Sequence, residues 1–178
     1  WIRGLLTIDS AAKLTVLPTM DVVFGPEGIS LDSVITSYGF MVKPSGKFFL
    51  YGTLSGIGNG CLFMWAGGQV WGDPTATTTM SPFASNNPQG VLFMNNGGTI
   101  ENAHRGVIAD NPKAAGYEGG IIWALSNSRF SKNRISVEIN NNPNTNCRFV
   151  KCDFRNDGPL FDVDKYNNEG IEAFVKLN

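Results

Sequence analysis

Along this chain apolar and polar residues alternate over short runs, and apolar positions do not recur at the three-to-four-residue spacing of an amphipathic helix. The segments Leu14-Thr-Val16, Phe40-Met-Val42, Ile100-Glu-Asn, Ile135-Ser-Val137-Glu-Ile139 and Phe149-Val-Lys-Cys-Asp-Phe154 read as strands with one buried face. Turn signals separate the runs: Gly25-Pro26, Pro44-Ser-Gly46, Gly58-Asn-Gly60, Asn96-Gly-Gly98, Asn111-Pro112, Asn142-Pro143 and Asn156-Asp-Gly-Pro159. No stretch predicts a helix longer than a turn or two.

A chain of short strands and frequent turns fits a β-sandwich as well as a solenoid, so internal repeats decide. Residues 91–111 (VLFMNNGGTIENAHRGVIADN) lie without gaps over 121–141 (IIWALSNSRFSKNRISVEINN), matching Val91 with Ile121, Ile100 with Phe130 and Val107 with Val137. A further copy pairs Phe130 with Phe154 and Val137 with Phe161, and near the start KLTV (13–16) matches KFFL (47–50). Anchor spacing is constant while the connections vary. That is expected when coils stack on one another and their turns lengthen outward without disturbing the stack. The predicted fold is all-β, a single-stranded right-handed parallel β-helix of about six coils over 1–178, roughly 29 Å tall at the ~4.8 Å inter-strand spacing. Residues 73–90, rich in Thr, Ser, Pro and Asn, are expected as an extruded loop, and 160–178 as a terminal coil or arm.

Composition fits a solenoid and narrows the partners. Charged residues make up 16%, below the ~25% of ordinary domains, and there are 21 glycines. A net charge of −1 argues against nucleic acid. The longest apolar stretches, such as 48–51 and 119–125, fall short of the ~20 residues of a membrane span, so no membrane insertion is expected. A start at Trp1 instead of Met, without a signal-peptide pattern, reads as a processed or excised piece. Cys61, Cys147 and Cys152 form no CxxC unit and are expected as buried thiols. On one continuous strand Cys147 and Cys152 would face opposite ways, so a disulfide between them would need a bend.

Several phrases resemble the β-helix segments of large secreted proteins of Bacteroidota, many of which carry a type IX secretion sorting signal. They are LLTIDSAAKLTVLPTMDVVFG (5–25), VKPSGKFFLYGTLSG (42–56), FMWAGGQVWG (63–72) and GTIENAHRGVIADN (98–111). The resemblance covers about 1–155 and implies a β-helix, export, and a cell-surface or matrix role. It supplies no catalytic residues. Gly68, Met41 and Phe49 depart from the aliphatic residues commoner in that family, and its C-terminal sorting domain has no counterpart in these residues.

Many extracellular β-helices act on polysaccharide, which makes the ionisable residues of the coils candidates for catalysis. His104 beside Arg105 is the base and charge-neutralising pair a lyase would use, set against a plain turn or surface role. For a hydrolase the candidate acids are Asp110, Asp153, Asp157, Asp162 and Asp164, of which Asp162 and Asp164 would share a strand face with Asp153 on a neighbouring coil. Calcium is the one cofactor with candidate ligands, at Asp157, Asp162 and Asp164, although no DxDxDG loop or glycine-aspartate nonapeptide array accompanies them. Trp65, Trp71, Tyr117 and Trp123 would form a sugar-stacking strip if they faced outward, with core packing as the competing role.

Three functions of different class follow. A structural or adhesive surface module ranks first, associating with itself or with neighbouring domains of a larger chain and stacking head-to-tail into a fibre. A polysaccharide lyase or glycosidase and a glycan-binding module contacting surface polysaccharide are the alternatives. Low charge and the lack of an acid cluster set that order.

Overall fold

Alternation with period two gives each short strand one inward face, and a left-handed residue or glycine at the corners turns the chain onto the next sheet. The computed structural model describes residues 2–25, 39–56, 64–73, 75–76, 81–110, 119–140, 145–157 and 172–177. The first coil is β1 (Leu5–Ile8), β2 (Lys13–Val16) and β3 (Asp21–Phe24), and the second is β4 (Gly39–Val42), β5 (Lys47–Leu50) and β6 (Thr53–Gly56). The third is β7 (Trp65–Val70), β8 (Val91–Met94) and β9 (Thr99–Glu101), and the fourth is β10 (Ala103–Ala109), β11 (Gly120–Leu125) and β12 (Arg129–Ser131). The fifth is β13 (Ile135–Ile139), β14 (Thr145–Val150) and β15 (Asp153–Arg155), after which β16 (Ala173–Leu177) opens a sixth.

Each coil gives one strand to each of three sheets. Their orders are β1-β4-β7-β10-β13-β16 for the first sheet, β2-β5-β8-β11-β14 for the second and β3-β6-β9-β12-β15 for the third. Every pairing is parallel, which makes the fold the expected parallel β-helix, with five full coils and the start of another. The repeat alignment is the register itself: Val91 pairs with Ile121, Ile100 with Phe130, Val107 with Val137, Phe130 with Phe154 and Leu14 with Phe48. One match differs. Val175 of β16 is the register partner of Val137, and Phe161 lies outside the described residues.

Inward ladders fill the interior. Leu14, Phe48, Leu92, Ile122 and Cys147 stack along the second sheet, and Val22, Leu54, Ile100, Phe130 and Phe154 along the third. Phe48, Leu92, Ile122, Leu54, Ile100 and Phe130 are wholly buried, each worth ~1.5–3 kcal/mol of transfer free energy. Corners recur in the same form. Asn102 (φ 58°) and Lys132 (φ 53°) turn successive coils from the third sheet to the first. Beside them the buried Asn133 plugs the corner, its amide nitrogen donating to the Ile100 carbonyl (3.0 Å) and its oxygen accepting from the Ala103 N–H (2.9 Å).

The described residues of 73–90, expected as an extruded loop, are tied to one another and to the second sheet. The amide oxygen of the buried Gln89 accepts from the Asp73 N–H (2.8 Å), and its nitrogen donates to the carbonyls of Asp73 (3.1 Å) and Ala76 (3.2 Å). Lys47 of β5 donates to the Ala84 carbonyl, and Phe83 lies against Phe49 and Phe93 on the outside of the second sheet.

Candidate functional site

Outward side chains differ sharply between the three sheets. On the third sheet Asp21, Thr53, Thr99, Arg129 and Asp153 form one register row. Asp153 is paired with Arg129 (3.7 Å) and with Arg155, whose guanidinium also reaches Asp157 (3.3 Å). Asp153 raises the Arg155 pKa further above its ordinary value through a side-chain hydrogen bond. In the same sheet, partial burial lifts the Glu101 carboxyl above the usual range, with Lys132 pulling it back.

On the first sheet Arg105 pairs with Glu138 across β10 and β13 (3.1 Å). Glu172 bridges Arg134 (3.3 Å) and Lys176 (2.9 Å), and the Lys176 hydrogen bond chiefly holds its carboxyl below the ordinary range. His104 precedes Arg105 in β10 and is half-buried. Of the described catalytic candidates, His104 and Arg105 lie together on the first sheet and Asp153 lies on the third between two arginines. Asp110 interacts with Asn140. Asp162, Asp164, Tyr117 and Cys61 lie outside the described residues. Among the described residues no group of three or more His, Cys, Asp or Glu is placed to hold a metal.

The second sheet is aromatic. Register sets Thr15, Phe49, Phe93, Trp123 and Arg148 in one outward row across five coils. Phe49, Val91, Phe93 and Ile121 make an apolar cluster separate from the interior, with Tyr51, Trp123 and Leu125 half-buried against it. Phe83 packs on Phe93 at 4.7 Å and on Phe49 at 6.2 Å and is itself 55% exposed. Cations close the row at both ends: the Lys13 ammonium sits 4.7 Å from the Phe49 ring centre, and the Arg148 guanidinium 5.3 Å from that of Trp123. The Trp123 indole N–H donates to Asn146 (3.3 Å), which orients the ring.

Compared with protein-family models, with curated proteins and with solved structures, the chain has no match. Its outer faces must therefore be read from their own chemistry. Of the three described sugar-stacking candidates, Trp65, Trp71 and Trp123, only Trp123 stands in the aromatic row. Trp65 is a correction: it is 1% exposed, stacked on Phe24 at 4.5 Å, with its indole N–H donating to the Glu101 carbonyl (2.7 Å). Trp71 is half-buried just beyond β7 and donates to Gln69 (2.8 Å). Phe49, Phe83, Phe93 and Tyr51, which make up the rest of the aromatic cluster, were not among the candidates; Phe49 and Phe93 are buried beneath Phe83, at 7% and 3% exposure. The KLTV and KFFL match held the signal, because once Phe48 faces inward its neighbour Phe49 must face out.

The thiols are structural. Cys147 and Cys152 are free, and both pack against the interior, because Lys151 (φ 53°) bends the chain between them. Burial pushes the Cys147 thiol from its ordinary 9.0 up to about 12, a backbone hydrogen bond at Ile122 opposing. The folded state thus holds this proton more tightly than the unfolded one. Its contribution to stability is complete below pH 9.0 and is lost as pH rises toward about 12. At about pH 8 iodoacetamide should label Cys147 far more slowly in the folded chain than in the urea-unfolded chain. Peptide mass spectrometry across a time course measures this, and labelling at the rate of a free thiol would contradict it.

Proposed function

We propose that this chain is a non-enzymatic extracellular structural or adhesive module, a stiff β-helical rod whose ends take up another coil of the same kind. The observation that carries the reading is the open stack. β14, β15 and β16 are the last strands of their sheets among the described residues, and on β16 Val175 is 41% and Leu177 74% exposed. At the other end β1, β2 and β3 are the first strands among the described residues; β3 has only the single bridge to Ile2 beyond it, and Leu6, Leu14 and Val22 are only half-buried. All strands run parallel, so the free edge of a first coil complements that of a last one. A second copy seated there would continue each sheet, an open head-to-tail contact that propagates into a fibre.

The enzyme alternative has less support. The described candidate Asp153 is tied to two arginines, and His104 and Arg105 occupy a different sheet. The extracellular setting rests on the resemblance to secreted β-helix proteins and on low charge.

Negative-stain electron microscopy across a concentration series, with sedimentation velocity beside it, tests the rod. Filaments that lengthen with concentration are expected, and replacing Val175 and Leu177 together by lysine should shorten them to single particles. Uniform monomers at every concentration would overturn end-to-end stacking.

A further inference from the structure

We propose that Asn96 is a site of spontaneous covalent modification, at which the folded chain converts its asparagine through a cyclic imide into aspartyl and β-aspartyl residues. The inference is independent of end-to-end stacking and of any ligand.

The reaction is intramolecular. The backbone nitrogen of Gly97 attacks the side-chain amide carbon of Asn96 and closes a succinimide ring. The side-chain nitrogen leaves as ammonia, taking the Gly97 proton with it. Water then opens the imide at either carbonyl, giving an aspartyl or a β-aspartyl linkage. No oxidant, metal or partner is required. Three conditions decide whether a given asparagine reacts: room at the attacking nitrogen, freedom of that N–H from hydrogen bonds, and a backbone able to rotate into the ring-closing conformation.

Asn96 and Gly97 meet all three. Both are exposed at the corner between β8 and β9, and their φ values of 48° and 89° are the positive pair of a type I′ turn, closed by the Gly98 N–H on the Asn95 carbonyl (2.9 Å). Gly97 has no side chain to crowd its nitrogen, and even a Cβ there would meet nothing within 4 Å. The Gly97 carbonyl accepts from the Thr99 hydroxyl (2.9 Å), but its N–H takes part in none of the hydrogen bonds among the described residues. The Asn96 N–H donates to its neighbour's Asn95 Oδ1 (2.9 Å) and not to another coil, so the tip of the turn is not pinned to the stack.

The next coil supplies the contrast. Ser126 (φ 46°) and Asn127 (φ 66°) repeat this corner in the same register, and Asn127 is exposed as well. There the turn is pinned, with the Ser126 N–H donating to the Val150 carbonyl (3.1 Å) and the Asn127 N–H to that of Lys151 (2.8 Å). The nitrogen that would attack the Asn127 side chain belongs to the buried Ser128, whose N–H (3.2 Å) and hydroxyl (2.6 Å) both donate to the Leu125 carbonyl.

A β-aspartyl product lengthens the main chain by a methylene immediately before a tight position. A Cβ on Gly98 would already lie 2.2 Å from the Leu50 carbonyl oxygen, and the Thr99 N–H is held by the Gly52 carbonyl (2.9 Å). The turn must yield, and β9 loosens on the coil before it. Each event also adds a negative charge and does not reverse, so the corner records the age of the folded chain.

Incubation of the folded chain in mildly alkaline buffer, sampled over weeks by peptide mass spectrometry, tests this. The Asn96 peptide is expected to gain one mass unit and to split into aspartyl and β-aspartyl forms that chromatography separates, while the Asn127 peptide stays unchanged. Reading by peptide keeps apart Asn59-Gly60, a second Asn-Gly pair that lies outside the described residues. Gly97→Ala, whose methyl crowds the attacking nitrogen without touching the next coil, should slow the reaction at least ~10-fold, with circular dichroism confirming that the variant is folded. The wild-type chain in urea provides the comparison that needs no variant. Asn96 intact in the folded chain while the urea-unfolded chain reacts there, equal rates at Asn96 and Asn127, or a product without the β-aspartyl form would each overturn the proposal.

Discussion

Gly67→Ala is expected to be the most damaging single-methyl change in the described coils, costing more than ~4 kcal/mol out of the ~5–15 kcal/mol available to a domain. Gly67 lies in β7 at φ +103°, and a Cβ there would sit 1.4 Å from the Arg105 carbonyl oxygen and 2.5 Å from its carbon. Both contacts are with the backbone of the next coil, in a ladder where Gly39, Gly67 and Arg105 are register partners. No side-chain rotation relieves such a clash. The first sheet must part at β7 and β10, and with it the register shift between Arg105 and Val107. Gly97 provides the control: it also has positive φ (+89°), but a Cβ there meets nothing within 4 Å. Gly97→Ala therefore carries only the backbone cost, ~1–2 kcal/mol. Urea denaturation followed by circular dichroism and tryptophan fluorescence compares the two. If Gly67→Ala unfolds at or above the midpoint of Gly97→Ala, the close approach of the coils does not have the energetic weight assigned to it.

The same bulge explains what the sequence concealed. Trp65 and Trp71 are six residues apart and would share a face on a regular strand. In β7 the positive φ at Gly67 reverses the parity, so Trp65, Gly68 and Val70 face the interior, and the ring of Phe40 fills the space a Gly68 side chain would take. Alternation alone cannot reveal a one-residue insertion that depends on the neighbouring coil. Ladders without bulges were fully legible, as the 30-residue shift shows, because identical inward spacing is what stacking requires. The partner of Val137 was missed for the opposite reason: connections between coils vary in length, so the next anchor, Val175, can lie any distance along the chain. The aromatic face was hidden in a similar way. Phe48 and Phe49 look alike in sequence, and only the register sends one ring inward and the other out. Cys147 and Cys152 came to share the interior through a single left-handed lysine, a conformation that residue type does not announce.

Trp65→Ala should cost ~3–5 kcal/mol, the second-largest loss expected. The ring is buried between two others, parallel to Phe24 within 7° and 6.2 Å from Phe40, so truncation opens a void among the first three coils. The ladder partner of Phe24 is Gly56, which has no side chain to close over the gap. Truncation also removes the 2.7 Å hydrogen bond from the indole N–H to the Glu101 carbonyl, which ties the start of β7 to the end of β9. Trp65→Phe separates the two contributions. It keeps most of the apolar contact and loses the hydrogen bond, so a smaller cost of ~1–2 kcal/mol is expected. Guanidinium unfolding of the three proteins under one set of conditions gives the ranking native, Phe, Ala. A loss below ~1 kcal/mol for the alanine variant would mean that the first three coils close over the void, and that this ring does not anchor the rod's first half.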